Sequence, residues 1–277
     1  YIPYTIFTVL SWLFYLILLL SHRNYDKLNA HYIKISSLIT GTANNGGNNP
    51  IWFLTCLFVV SIAFSFITRM ENSKFRFTVV VGASLIGYLL SVTNVRLYFF
   101  NFDIALSALV FYSCGYMVKQ RNLLRYLDLC RGHVWVLVLI TAESAHIGTA
   151  YLNTRLAFIP WVNMAGNRLG SYFFFYASAF LGIFVYFMIS YQIRRLGIIN
   201  FLGKNSLLIL ATHKPFLLLI NLLTSKYLNT KAEWYGFFST ILVLWLTIPL
   251  INLVNRKAPF IIGKKALIRW EKKGARR

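Results

Sequence analysis

The sequence is short of cysteine, of linker-like segments and of alternating strands, and each shortage excludes a class of protein. Its 3 cysteines are an odd number, so no framework of disulfide bonds is indicated. No stretch rich in proline or serine divides the chain, and no internal repeat is visible, which favours one membrane domain. The apolar runs lack strict alternation with polar residues, which excludes a membrane β-barrel.

What the sequence has in abundance is apolar length. Of its 277 residues 58% are hydrophobic, and the mean hydropathy is +0.61, beyond the range of soluble domains. Eight apolar runs each have about the length that a ~30 Å hydrocarbon core requires of a helix. We therefore predict an all-α fold, a polytopic membrane helix bundle of about eight transmembrane helices. The predicted spans are 4–20, 51–68, 77–92, 99–118, 134–152, 171–190, 206–223 and 234–254.

Acidic residues are scarce, with 7 Asp and Glu against 28 Lys and Arg, and the net charge is +21. Such a charge is also found in nucleic-acid-binding proteins, but here the basic residues concentrate in alternate loops and in the tail, as the positive-inside rule describes. We predict a multi-pass protein of the plasma (inner) membrane, with a cytoplasmic C-terminus and no nucleic-acid partner. The basic residues of the predicted inner loops are Arg69, Lys74, Arg76, Lys119, Arg121, Arg125, Arg131, Arg194, Arg195 and Lys204.

The two ends of the chain differ from the spans. We predict a membrane domain over 1–254 and a basic cytoplasmic tail over 255–277, NRKAPFIIGKKALIRWEKKGARR. Because isoleucine, leucine and tryptophan alternate with cations there, the tail is expected to lie along anionic lipid headgroups. The chain begins at Tyr1 and no basic segment precedes the first apolar run, so that run is not a signal peptide, and we expect the sequence to be truncated at its N-terminus.

Few ionisable groups lie within the spans, and such groups usually face a cavity or one another. Asp103 begins the fourth predicted span, with Ser107 one turn later on the same face. It is either a functional group, which accepts a substrate hydroxyl or pairs with Arg96, or an interfacial aspartate that the helix dipole favours. Both interpretations stay open at this point.

Two further groups of polar residues lie on the fifth and seventh spans. Glu143 and His146 are three residues apart, but the chain lacks the second Glu-x-x-His pair and the carboxylates of a di-metal bundle. They are read as a buried polar contact, a cavity lining or helix packing, and no metal is expected. His213 lies seven residues, about 10.5 Å, beyond Ser206, which is too far for a nucleophile and its base. His213 is a candidate for binding substrate or moving a proton, or is a structural histidine.

The second span follows a polar turn. Asparagine and glycine at 46–49 tolerate turn conformations, and Pro50 suits the first position of a helix. Trp52 would then lie at the headgroup level, as an interfacial anchor. A planar ring beside amides such as Asn49 is also what a sugar ring needs, so both residues are candidates for binding an acceptor sugar.

Four segments resemble the membrane acyltransferase 3 family, and particularly its fucose 4-O-acetylase-like branch. The four follow one another in the order found in the family, and the likeness extends over the whole chain, with a departure at Thr55 and Cys56, where the family pattern tends to have Leu-Pro. The segments are NPIWFLTCLF, FDIALSALVFYSCGYMV, VNMAGNRLGSYFFFYASAFLGI and LGKNSLLILATHKPF.

The resemblance implies transfer of an acetyl group from cytoplasmic acetyl-CoA to a sugar hydroxyl, commonly on a lipid-linked or surface glycan. It also implies about ten spans, with an arginine and a catalytic histidine on the first. The present sequence resembles the family from its third span onward. This chain is therefore expected to lack the first two membrane spans and to be inactive alone, the catalytic base being a histidine outside it.

The resemblance also assigns roles to the candidate residues. Asp103 and His213 are expected to support catalysis by polar orientation only. The basic loop KQRNLLR is expected to dock the phosphates of acetyl-CoA through Arg121 and Arg125, because guanidinium groups pair with phosphates bidentately. The candidates for acceptor binding are Asn49, Trp52, Arg96, Glu143, His146 and Ser206.

Two other functions compete with this hypothesis. The first is a transporter or flippase of a lipid-linked saccharide, although broken helices and related halves, which transporters often show, are not visible. The second is a non-catalytic membrane scaffold. The sequence identifies neither the acceptor sugar nor the oligomeric state.

Overall fold

The structure is a computed structural model, and it describes residues 2–21, 38–41, 48–129, 132–193, 196–230 and 232–264. Within those ranges the chain is helical, which confirms the all-α prediction, and seven helices are long and apolar enough to cross a membrane. The α-helices are α1 Ile2–Ser21, α2 Trp52–Thr68, α3 Ser73–Val92, α4 Phe102–Gln120, α5 Gly132–Leu156, α6 Tyr172–Ile193, α7 Gly197–Lys204, α8 Ser206–Thr224 and α9 Glu233–Lys257.

Seven of the eight predicted spans correspond to the long helices. The remaining one, the predicted span 51–68, corresponds to α2. This helix is apolar throughout but has only 17 residues, and a single 3₁₀ turn, Asn49–Ile51, precedes it. At 1.5 Å per residue α2 is about 26 Å long, slightly less than the hydrocarbon core.

The chain divides into two compact units, and the first contains Tyr1–Ile39, Ala43–Leu54 and Leu202–Arg277. In this unit α8 packs against both α1 and α9, and the 3₁₀ turn Pro259–Ile262 contacts α1 and α9. The predicted membrane-surface tail lies largely outside the described residues, since the structure describes it only as far as Lys264.

The second unit contains Thr40–Thr42 and Thr55–Phe201. Its helices pack as the pairs α3 with α4 and α5 with α6. Aromatic rings join α4 to α6, because the ring of Phe111 lies 6.0, 5.4 and 5.2 Å from those of Phe175, Tyr176 and Phe180. Ring pairs at these separations contribute about 0.5–1.5 kcal/mol each beyond the area they bury.

Helices α3 and α4 approach closely along a stripe of mostly small residues on α3. Val80, Ser84, Gly87 and Ser91 recur at helical spacing and are the buried residues of that helix. A Cβ atom at Gly87 would overlap the Ser107 hydroxyl and lie 2.9 Å from the Ser107 backbone nitrogen. Glycine is therefore required for the two backbones to meet, as is common between membrane helices.

The start of α4 is fixed by an unusual backbone. Phe100 and Asn101 both have left-handed conformations, with φ of 51° and 54°, which a bulky residue adopts only at a cost. The Asn101 amide donates a hydrogen bond of 2.7 Å to the Thr55 hydroxyl, and the Phe100 N–H donates one of 2.8 Å to the Thr40 carbonyl. These bonds end the 3₁₀ turn Phe99–Asn101 and start α4 at Phe102. Together the turn and α4 form the element Phe99–Gln120, which matches the predicted span 99–118.

Candidate functional site

A cavity of about 380 Å³ lies between α2, α3, α4 and α6 in the second unit, and we call it the α3–α4 cavity. At one end it reaches exposed residues at helix termini, including Ser73 and Gln120, and at the other it reaches the fully buried Ser84. From Arg76 to Ser84 it follows two turns of α3, about 12 Å. Apolar side chains line most of the length between these ends.

Two arginines stand at the exposed end of the α3–α4 cavity. Arg76 and Arg121 both line it, and the Arg76 Nε is buried and has no hydrogen-bond partner among the described residues. A buried N–H without a partner is costly, so this group is able to donate a hydrogen bond to water or to a ligand. Arg125, predicted to act with Arg121, does not line the cavity, and its guanidinium instead contacts Tyr126 at 3.1 Å.

Three hydroxyl groups lie at the buried end of the α3–α4 cavity. Ser84 donates to the Val81 carbonyl at 2.8 Å, so the Tyr172 hydroxyl, 2.7 Å from the Ser84 oxygen, must be the donor of that pair. The Tyr176 hydroxyl donates to the Ser107 carbonyl at 3.0 Å. Because the hydrogens are used internally, the tyrosine oxygens offer lone pairs to a ligand that donates hydrogen bonds.

Asp103 and Arg96 form an ion pair, so the pairing that the sequence suggested is present, while a functional role of Asp103 stays a prediction. The Arg96 Nε lies 2.8 Å from the Asp103 Oδ2, and the aspartate side chain is fully buried while that of Arg96 is 20% exposed. Arg96 also donates to the Ala165 carbonyl at 3.2 Å. The pair therefore ties the start of α4 to the loop between α5 and α6, a positioning contact rather than an open catalytic group.

Glu143 and His146 contact each other on α5, with the His146 Nδ1 3.3 Å from the Glu143 Oε2. The other ring nitrogen approaches α6, since a Cβ atom at Gly182 would lie 3.0 Å from it. Both side chains are partly exposed, and Glu143 lines a shallow, mostly apolar groove along α5 and α6. Their role in acceptor binding stays a prediction.

The polar turn before α2 has a structural partner in the first unit. Pro215 lies inside α8 and has no N–H to donate to the Ala211 carbonyl one turn earlier. The buried Asn48 amide takes its place, with a bond of 2.6 Å to that carbonyl, and also donates to the Ser11 hydroxyl at 2.8 Å. Asn48 thus holds the turn against α1 and α8.

His213 lies two residues before Pro215 on α8 and is half-buried. Its Nδ1 is 2.9 Å from the Leu210 carbonyl and 3.2 Å from the Ile209 carbonyl. Carbonyl oxygens only accept hydrogen bonds, so Nδ1 carries the proton of the neutral ring and Nε2 has a free lone pair. His213 is therefore chemically able to accept a proton at Nε2.

The remaining candidates of the first unit lie at helix starts. Trp52 is the half-buried first residue of α2, and Ser206 is the exposed first residue of α8. Asn49 belongs to the 3₁₀ turn before α2, and its side chain lies outside the described part of the structure. Across the described ranges, no three His, Cys, Asp or Glu side chains converge as metal ligands.

Seven helices long and apolar enough to cross a membrane indicate a multi-pass membrane protein. The family model for an acyltransferase domain, acyltransferase 3, matches residues 1–253. The chain therefore belongs to the acyltransferase 3 family and is a membrane acyltransferase. No curated protein and no solved structure matches it.

Sequence reasoning missed Arg76 and the three hydroxyl groups of the α3–α4 cavity. A signal for part of the set was present, since Arg76, Val80 and Ser84 recur every four residues and so share one face of α3. The tyrosines carry no such signal, because their aromatic surroundings in YFFFYASAF read only as apolar span.

Proposed function

We propose that the protein transfers an acetyl group from cytoplasmic acetyl-CoA to a sugar hydroxyl of a cell-surface or lipid-linked glycan, as in the fucose 4-O-acetylase-like branch of its family. The observation that supports this most is the α3–α4 cavity, which combines guanidinium groups at one end with hydroxyl acceptors at the other. Its arginines belong to the basic segments 69–76 and 119–125, which the positive-inside rule assigns to the cytoplasm.

Each part of the α3–α4 cavity suits a part of acetyl-CoA. The guanidinium groups of Arg76 and Arg121 suit its phosphates, since such pairs form charge-assisted, bidentate hydrogen bonds. The apolar middle suits the pantetheine arm, and the lone pairs of Tyr172 and Tyr176 can accept from its amide N–H groups. In this assignment Arg76 replaces Arg125 as the second phosphate-binding residue.

The reaction itself exchanges one acyl bond for another. The sugar hydroxyl oxygen attacks the thioester carbonyl, a C–O bond forms and the C–S bond breaks. A base takes the hydroxyl proton and passes it to the sulfur, so that CoA leaves as the thiol. We assign the principal base to a histidine on an upstream span, as the family resemblance implies. His213 and Asp103 keep supporting roles, with His213 able to hold a proton at Nε2.

The kinetic test uses labelled acetyl-CoA, a glycan acceptor and membranes that carry the protein together with any spans encoded upstream. A charge-assisted hydrogen bond contributes about 1.5–3 kcal/mol, so Arg76→Gln should raise KM for acetyl-CoA by about tenfold or more. The matched control is Arg69→Gln, because Arg69 comes from the same basic loop but stacks on Phe66 and does not line the cavity. It should leave KM unchanged.

Two results would contradict the proposal. If Arg76→Gln and Arg69→Gln change KM for acetyl-CoA equally, acetyl-CoA does not bind in the α3–α4 cavity. Absence of acetyl transfer, together with saccharide movement across proteoliposomes that lack acetyl-CoA, would instead support the transporter hypothesis.

A binding test that needs no acceptor uses Cys114, a free, partly exposed thiol that lines the α3–α4 cavity. In a Cys130→Ser background, maleimide should modify Cys114 while the buried Cys56 stays unmodified. Acetyl-CoA should slow the modification of Cys114. In the Arg121→Gln variant, the same protection should need a concentration of acetyl-CoA about tenfold higher. Modification at the same rate with and without acetyl-CoA would refute donor binding here.

A further inference from the structure

A second, polar cleft lies in the same unit, where the loop before α4 meets the loop between α5 and α6. It has a volume of about 470 Å³ and no apolar side chain lines it, although 58% of the sequence is hydrophobic. We call it the outer cleft, because the positive-inside rule assigns both loops to the outer face. Its lining residues are Asn94, Arg96, Asn163, Gly166, Asn167 and Arg168.

Asn167 has an amide that the protein itself does not satisfy. Its side chain is 2% exposed, it lines the outer cleft, and neither its nitrogen nor its oxygen has a hydrogen-bond partner among the described residues. Its backbone is also left-handed, with φ of 51°. Buried amides are almost always paired, so a donor and an acceptor left open in one place indicate a polar ligand.

The outer cleft is built on a rigid loop. Asn163 and Arg168 exchange two backbone hydrogen bonds of 2.9 Å, and the Asn163 side chain accepts from the Gly166 N–H at 2.9 Å. Beyond the loop, Asn153 of α5 binds the Leu169 carbonyl at 3.0 Å and the Ser171 N–H at 2.7 Å. A loop fixed in this way loses little further freedom when a ligand binds.

The charges in the outer cleft favour an anion. Arg96 is neutralised by Asp103, whereas Arg168 has an exposed side chain and forms no ion pair within the described ranges. No carboxylate lines the cleft. The free guanidinium group of Arg168 suits a carboxylate or phosphate group, and the Asn167 amide, with a donor and an acceptor, suits a neighbouring ring hydroxyl.

We propose that the outer cleft binds the acidic group of an anionic saccharide, and so selects an acceptor glycan that carries a carboxylate or a phosphate. This inference rests on the proposed transfer to a glycan and adds the chemical class of the acceptor. Arg168 binds the oxyanion, Asn167 binds a hydroxyl of the same sugar, and the Arg96–Asp103 pair holds the loop.

The test measures binding without acetyl-CoA, on the full protein in nanodiscs of phosphatidylcholine. The probes are a hexasaccharide of alternating glucuronic acid and N-acetylglucosamine, the same hexasaccharide with its carboxyl groups reduced to alcohols, and the pair glucose 1-phosphate and glucose. At least one acidic probe should bind at least tenfold more tightly than its neutral counterpart. Added salt should weaken the binding of that acidic probe. Equal affinity within both pairs would overturn the inference.

Variants assign the preference to the outer cleft. Arg168→Gln should abolish the preference for the acidic probe, and the matched Arg155→Gln should retain it, because Arg155 is another exposed arginine near the end of α5 that stacks on Tyr151. Asn167→Asp keeps the side-chain size and adds a negative charge, so it should also lower the affinity for the acidic probe. A preference that survives both Arg168→Gln and Asn167→Asp would overturn the inference.

Two competition arms separate the sources of the anion. If inorganic phosphate, or phosphatidylglycerol in the nanodisc, displaces the acidic probe at the probe's own concentration, the cleft is a simple anion or lipid site and the saccharide assignment is wrong. Acetyl transfer to neutral glycans is measured on the same samples. If acetyl transfer occurs but the protein binds acidic and neutral probes equally, only this inference is refuted. If no glycan receives an acetyl group, the proposed function is refuted.

Discussion

Replacing Asn48 with alanine tests how the chain compensates for a proline inside a membrane helix. Asn48→Ala removes the donor to the Ala211 carbonyl, which Pro215 cannot supply, and the donor to Ser11. An unsatisfied buried group costs about 1–3 kcal/mol, whereas hydrogen bonds between membrane helices average about 0.6 kcal/mol. We expect the free energy of unfolding to fall by about 2 kcal/mol.

The double variant Asn48→Ala with Pro215→Ala isolates the reason for this loss. The alanine at 215 restores an N–H that can bond to the Ala211 carbonyl, so Asn48→Ala should then cost only about 0.6 kcal/mol, for the Ser11 bond. The coupling free energy in the cycle is therefore expected to be about 1–1.5 kcal/mol. Unfolding would be followed in mixed micelles as SDS is added, with the 7 tryptophans as the fluorescence probe.

A matched control comes from Pro249, the proline inside α9. Combining Asn48→Ala with Pro249→Ala should give additive losses, because Asn48 makes no bond to the helix turn before Pro249. If the cycle with Pro215 is also additive, or if Asn48→Ala leaves the unfolding curve unchanged, the compensation by Asn48 is refuted.

Two further predictions concern the second unit. Asp103→Ala should lower the free energy of unfolding by about 3 kcal/mol, because it leaves the mostly buried Arg96 without its partner. Adding Arg96→Met should recover part of this loss. If stability does not recover, the ion pair is contradicted. Gly87→Ala should destabilise by about 1–3 kcal/mol, since its Cβ would overlap Ser107. The control Gly82→Ala, where nothing lies within 4 Å, should be neutral or stabilising by up to about 1 kcal/mol in the same SDS titration.

The sequence was sufficient to predict the helices, because continuous apolar length is a local property. Seven of eight predicted spans match long helices, and the eighth matches α2. The sequence did not predict the left-handed conformation of Phe100 within the span 99–118, because Phe100 is an apolar residue with no turn preference and distant hydrogen bonds impose its conformation. No local pattern carries that information.

The candidate site was predicted less completely, because it depends on contacts between distant residues. Arg96 and Asp103 were close enough in sequence to be paired by inspection, and the structure pairs them. Asn48 and Ala211 are separated by 163 positions. The contact of the polar turn with α8 therefore could not be predicted from the residues of the turn itself. Arg121 and Arg125 fit one helical face by spacing, yet α4 ends at Gln120 and a 3₁₀ helix, Leu123–Leu129, follows it, which separates the two arginines.

The contact between Gly87 and Ser107 lies on α3 between the α3–α4 cavity and the outer cleft. At this level two backbones meet without an intervening side chain, and the buried hydroxyls of Ser84 and Tyr176 are bonded within the protein. Close packing at this level therefore separates the α3–α4 cavity from the outer cleft along α3. In the transfer that we propose, the acetyl group has to pass this level to reach a sugar bound in the outer cleft.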